Sequence, residues 1–195
     1  MGFGLVIIGY LTVLGVMPDT FVYYTWGIYI AVAGALIMLA GLCRLAEYNI
    51  YFKITKYICV AYVFILLCFA PFVILKLDAE LTNSFFVVSK VIRTCLLFMF
   101  HFYLFSAVSA LSHEIENIKL EKKAKRNIVA SCVFFAAFAL EIFFPIDPFM
   151  AVLGLGYYVF TLIFLYGCYM RITYEGHDEA IEAKYEKTKN KTKKR

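Results

Sequence analysis

A chain of 195 residues that is 63% hydrophobic and only 17% charged lacks the polar side chains to cover the surface of an ordinary water-soluble domain. Mean hydropathy is +0.79 and formal net charge +5, and the apolar residues fall in long runs rather than alternating. Lipid is therefore the expected solvent, and α-helices the expected elements, because in lipid every backbone N–H and C=O must be satisfied within its own segment.

The first apolar run covers residues 2–16. No Lys or Arg precedes it and no A-x-A-like cleavage site follows, so it reads as a retained segment and not as a signal peptide. As a helix its 15 residues reach about 22 Å, short of a hydrocarbon core of about 30 Å. It either spans a locally thinned bilayer or dips in as a re-entrant segment. The turn signal Met17-Pro18-Asp19-Thr20 directly after it favours spanning.

Residues 21–43 predict the second helix. Gly27, Ala31, Gly34 and Gly41 follow one another at steps of four, three and seven, which puts all four on one stripe. Small residues there let two backbones approach closely, as a dimer seam or sliding surface, or by packing against a neighbour in the same chain. Tyr23, Tyr24 and Trp26 at one end fit an interfacial aromatic belt, and Tyr48, Tyr51 and Tyr57 fit the opposite one. Residues 57–75 predict the third helix.

The fourth run, residues 91–111, carries the most informative polar residues. At about 100° per residue, Lys90, Thr94, His101 and Ser112 fall within roughly 40° of one another, with Arg93 about 60° to one side. Val108 interrupts this stripe between His101 and Ser112. Charges within a spanning helix are costly and usually face the bundle interior or a wet cavity. The fifth run, residues 128–145, supplies a counter-charge in Glu141, four residues before Pro145. One reading pairs Glu141 with Arg93 or Lys90, with His101 deeper on the same face, in a constellation suited to an anionic solute or a proton relay. The other has Lys90 and Arg93 snorkel to the headgroups from the start of the helix, and His101 bond a tyrosine of a neighbouring helix.

Residues 150–170 predict the sixth helix. Its Tyr157, Tyr158, Tyr166 and Tyr169 read as anchors and packing, with a tyrosine-lined cavity as the alternative. Residues 171–195 form a basic tail. In its last part, residues 184–195, Lys184, Lys187, Lys189, Lys191, Lys193, Lys194 and Arg195 stand against one acid, Glu186. Such a run beside a membrane suits anionic lipid headgroups. Tyr185 alone offers no aromatic interleaving for base stacking, so nucleic acid is not an expected partner.

Orientation follows from the links. Arg44, Lys53 and Lys56 flank the second link, Lys119, Lys122, Lys123, Lys125 and Arg126 the fourth, and Arg171 with the seven tail cations follows the sixth helix. These are 16 of the 19 basic residues, and only Lys76, Lys90 and Arg93 fall elsewhere. Alternate links obey the positive-inside rule. The predicted fold is thus an all-α polytopic transmembrane bundle over residues 1–170 and a cytoplasmic tail over 171–195. It has six spans, or five if the first segment is re-entrant, with both termini cytoplasmic and the cytoplasmic (inner) membrane as its location.

The six cysteines lie in or beside apolar runs with no CxxC spacing and read as small hydrophobes. The histidine- and acid-bearing clusters at 112–116 and 175–179 lack metal-ligand spacing, Asn117 standing where a metalloprotease helix needs its second histidine, so neither metal nor cofactor is expected. No phosphate-cradling loop, nucleophile elbow or intramembrane carboxylate pair is present. The leading functional reading is a non-catalytic subunit or accessory factor of a membrane assembly, partnered by lipid and by other subunits or itself. The second is an oligomeric small-solute or ion transporter using the fourth-helix stripe.

Overall fold

A computed structural model describes residues 2–14, 25–74, 79–141 and 147–172, and all its regular structure is helical. The helices are α1 (Gly2–Leu14), α2 (Thr25–Leu45), α3 (Ile50–Ile74), α4 (Ala79–Glu114), α5 (Ile118–Glu141) and α6 (Asp147–Ile172). Four contain stretches long and apolar enough to cross a membrane, Gly27–Leu45, Ile50–Cys68, Val91–Glu114 and Val152–Ile172. The apolar α1 is shorter. In α5 the charged residues 119–126 leave only 15 helical residues, 127–141, about 22 Å, for an apolar environment.

Three helices begin well before the apolar runs that announce them. α3 starts at residue 50 rather than 57, α4 at 79 rather than 91, and α5 at 118 rather than 128. Hydropathy marks where a helix suits lipid, whereas backbone hydrogen bonding continues into polar turns wherever a cap closes the end. Asn49 Oδ1 accepts the N–H of Phe52 at 3.0 Å at the start of α3, and Asn117 Oδ1 accepts that of Leu120 at 3.1 Å at the start of α5. The early start of α4 corrects the picture of Lys90 and Arg93 at the head of a helix. Eleven helical residues, about 16 Å, precede Lys90.

The turn from α4 to α5 is tight. Glu116 adopts a left-handed φ of 59°. Around it, the Asn117 N–H reaches the Ser112 carbonyl at 2.8 Å and the Glu116 N–H reaches that of His113 at 3.1 Å, which closes the end of α4 in a Schellman motif. Glycine normally occupies this position because a Cβ is strained there. Across the turn, Glu121 accepts from Lys125 Nζ at 2.6 Å and from His113 Nδ1 at 3.3 Å. These hydrogen bonds, first from Lys125 and then from His113, hold the Glu121 carboxyl below its ordinary range.

α1 lies antiparallel against α2, backbone to backbone. A Cβ on Gly9 would stand 2.5 Å from the Gly34 carbonyl oxygen and from the Met38 nitrogen, and one on Gly41 2.7 Å from the Gly2 oxygen. Gly34 and Gly41 of the α2 stripe are thus covered by α1 of the same chain, and Gly2 and Gly9 complete the seam. Gly27 is buried, and Ala31 packs with Val13, Ile28, Ala35, Tyr62 and Leu66 in a second cluster. The larger cluster joins all six helices, through Phe3, Leu42, Phe52, Leu104, Leu120 and Leu165 among others.

Cross-contacts fix which helix ends lie together. Phe3 meets Phe52 edge-on at 5.8 Å, a Cβ on Gly4 would lie 3.5 Å from Tyr169, and Asn49 Nδ2 donates to the Ala107 carbonyl at 3.0 Å. The start of α1, the ends of α2, α4 and α6 and the starts of α3 and α5 therefore form one end of the bundle. Arg44, Lys53, Lys56, Lys119, Lys122, Lys123, Lys125, Arg126 and Arg171 all belong to it. Large apolar side chains face outward along the shaft: Val152 is 71% exposed, Leu155 69%, and Phe64, Val133 and Ile163 65%.

Candidate functional site

The largest buried polar group at mid-bundle is His101 of α4, with no exposed surface. Its Nδ1 lies 2.7 Å from the carbonyl of Leu97, one turn back. A carbonyl only accepts, so Nδ1 carries the proton and Nε2 presents a lone pair. The Tyr10 hydroxyl of α1, 91 positions away, fills that lone pair at 2.7 Å, with the O–H donating. Both ring nitrogens are thereby satisfied in the neutral imidazole.

Aromatic rings close the surroundings. Tyr10, Phe100, Phe105, Phe135, Tyr157 and Tyr158 set their centroids 5.3–6.2 Å from that of His101. Tyr157 stacks on Phe134 at 4.2 Å, nearly parallel, and its hydroxyl lies 2.7 Å from Ser131 Oγ. Ser131 spends its one proton on the Asn127 carbonyl at 2.9 Å, so Tyr157 is the donor to Ser131. The same α5 face carries Asn127 one turn earlier, only 1% exposed, and neither its amide nitrogen nor its amide oxygen has a hydrogen-bond partner among the described residues.

Along the fourth-helix stripe the packed positions besides His101 are Val108 and Ser112. Thr94 and Arg93 are half-buried, Val108 is fully buried, and Ser112, also fully buried, donates to the Val108 carbonyl of its own helix at 2.6 Å. Lys90 lies within α4 and Glu141 ends α5, but both side chains fall outside the described residues, as do the tail cations Lys184 to Arg195. A cavity of about 10 Å³ lies beside Tyr10, lined by Val13, Met38, Ile58, Cys59 and Leu97 among others. It has room for about one water molecule and an apolar wall.

Comparison of the chain with family models, curated proteins and solved structures returns no match.

Among the described residues no three histidine, cysteine or acidic side chains gather as a metal would require. All six cysteines are free, with Cys59 and Cys168 buried. Sequence reading alone passes over Tyr10, Ser131 and Asn127. The signal for the last two is the spacing 127, 131, 135 on one α5 face, and for Tyr10 its place as the one tyrosine in the first apolar run. No periodicity pairs Tyr10 with His101.

Proposed function

We propose that this is a multi-pass protein of the cytoplasmic membrane that works without catalysis, as a subunit or accessory factor of a larger membrane assembly. The observation that supports this reading is the packing around His101. Both its nitrogens are occupied, six aromatic rings lie against it, and the cavity beside Tyr10 holds about one water molecule. A solute pathway needs a polar cavity that a side chain such as His101 can line.

In this reading all six helices cross the bilayer, both termini are cytoplasmic, and the basic end faces the cytoplasm by the positive-inside rule. The antiparallel seam of α1 on α2 supports a crossing α1 over a re-entrant one. The buried face of α5, Leu120, Ala124, Asn127, Ser131 and Phe135, supports its place inside the bundle despite its charged first turns. The basic tail then lies along anionic headgroups.

The test is extraction of the protein with its surrounding lipid, without detergent, followed by mass measurement, alongside reconstitution of the purified chain in vesicles. The expected result is a discrete complex containing a second protein species, and proton and anion leakage equal to that of empty vesicles. Flux above empty vesicles that disappears in His101→Phe would replace this reading with the transporter one.

A further inference from the structure

The first turns of α5 hold the densest charge in the described chain. Between residues 118 and 127 stand Lys119, Lys122, Lys123, Lys125 and Arg126 against a single acid, Glu121. Glu121 is already engaged by Lys125 and His113. Lys119, Lys122, Lys123 and Arg126 are all exposed, and among the described residues none of them has an ion-pair partner.

Steps of about 100° per residue bring these four within an arc of about 100°. That arc is turned about 130° from the face that buries Leu120, Ala124, Asn127, Ser131 and Phe135. Lys125 and Glu121 lie outside the arc. Two to three turns further on, the same outward face becomes apolar, with Val129 62% and Val133 65% exposed. The positive end of the helix, capped by Asn117, adds to the field of the four cations.

We infer that this face of α5 binds an anionic phospholipid, its phosphate held among Lys119, Lys122, Lys123 and Arg126 and its acyl chain lying on Val129 and Val133. The charges match a phosphate, and the change from cations to valines along one face matches a molecule with an anionic head and an apolar tail. A soluble anion accounts for the first half of that pattern only. The inference rests on the membrane reading above and adds the lipid class and the side chains that select it.

The experiment uses the full chain in maltoside micelles doped with phosphatidylglycerol or phosphatidylcholine, with bound lipid counted by native mass spectrometry. Entry of each variant into phosphatidylcholine nanodiscs is checked in parallel. Phosphatidylglycerol is expected to bind more tightly than phosphatidylcholine. Single neutralisation of Lys119, Lys122, Lys123 or Arg126 to Gln should weaken it roughly fivefold, the share of one basic residue at a membrane surface. The fourfold Gln variant should lose the preference, and replacing the three lysines by arginine should keep it. Lys125→Gln, already paired and off the face, should lose less than about twofold. The proposal is overturned if the fourfold Gln variant retains phosphatidylglycerol as the parent does. It is equally overturned if Lys125→Gln falls as far as Lys122→Gln, or if inorganic phosphate displaces the lipid at matched concentration. Failure of the parent chain to enter nanodiscs would instead strike the membrane reading itself.

Discussion

Gly9→Ala places one methyl group where the backbones of α1 and α2 touch. The new Cβ would sit 2.5 Å from the Gly34 oxygen and the Met38 nitrogen and 2.7 Å from Met38 Cβ, whereas ordinary contact begins near 3.4 Å. Two of those three atoms are backbone, so no side-chain rotation relieves the clash, and α1 must withdraw by about 0.9 Å, the difference between those distances. A gap of that size forfeits a quarter to a half of the attraction at each affected atom pair. Overpacking of this kind costs about 1–3 kcal/mol, and the gain in helix propensity from Gly to Ala returns up to about 1 kcal/mol. With the full propensity gain the net expectation is a loss of up to about 2 kcal/mol. Gly167→Ala on α6 is the matched control, since nothing lies within 4 Å of its Cβ position and only the propensity gain remains. Unfolding in an SDS titration, followed by far-ultraviolet circular dichroism, should therefore separate the two variants by about 1–3 kcal/mol, with Gly167→Ala the more stable. Equal shifts in the same direction would refute backbone contact between α1 and α2.

Other substitutions probe the polar interior and the helix ends. Tyr10→Phe strips the donor from His101 Nε2 and leaves a buried lone pair, at a cost of about 1–3 kcal/mol. A double-mutant cycle with His101→Phe should give a coupling above about 0.5 kcal/mol, and zero coupling would dissolve the pair. Asn127→Leu replaces two buried polar atoms that have no partner among the described residues by methyl groups on the same branching, and should stabilise the fold by about 1–3 kcal/mol. Destabilisation by that change would mean that something else satisfies the amide. Glu116→Gly relieves the left-handed backbone and should stabilise by about 1 kcal/mol in the same titration, with no gain if the turn rearranges. The Glu121 carboxyl is held below its ordinary range, so its contribution is present at neutral pH and fades as pH falls through the carboxylate range; Glu121→Gln should flatten the acid limb of a stability–pH profile.

Helical class, the approximate place of each helix and the gathering of basic residues in alternate links were all legible from residue types in order. Each is a sum of local quantities: transfer free energy along a run, backbone satisfaction within a segment, charge per link. The same locality explains the errors in helix length, since hydropathy is silent about the capped, charged turns that extend α3 and α5 beyond the apolar run and about the polar Thr82–Ser84 turn inside α4.

Partnership is a different kind of quantity. The glycine stripe of α2 was visible, but not that α1 covers it, because Gly2 and Gly9 acquire meaning only when a second backbone arrives at contact distance. His101 was visible as a polar residue in an apolar helix. Its neutral tautomer, its bond to Tyr10 and its aromatic enclosure depend on side chains from α1, α5 and α6. Residue order therefore settled the helical elements of this protein and made lipid their expected solvent. Only the tertiary structure decided which faces meet, because apolar helices in lipid share the same transfer energy and are sorted by shape and hydrogen-bond complementarity between distant segments.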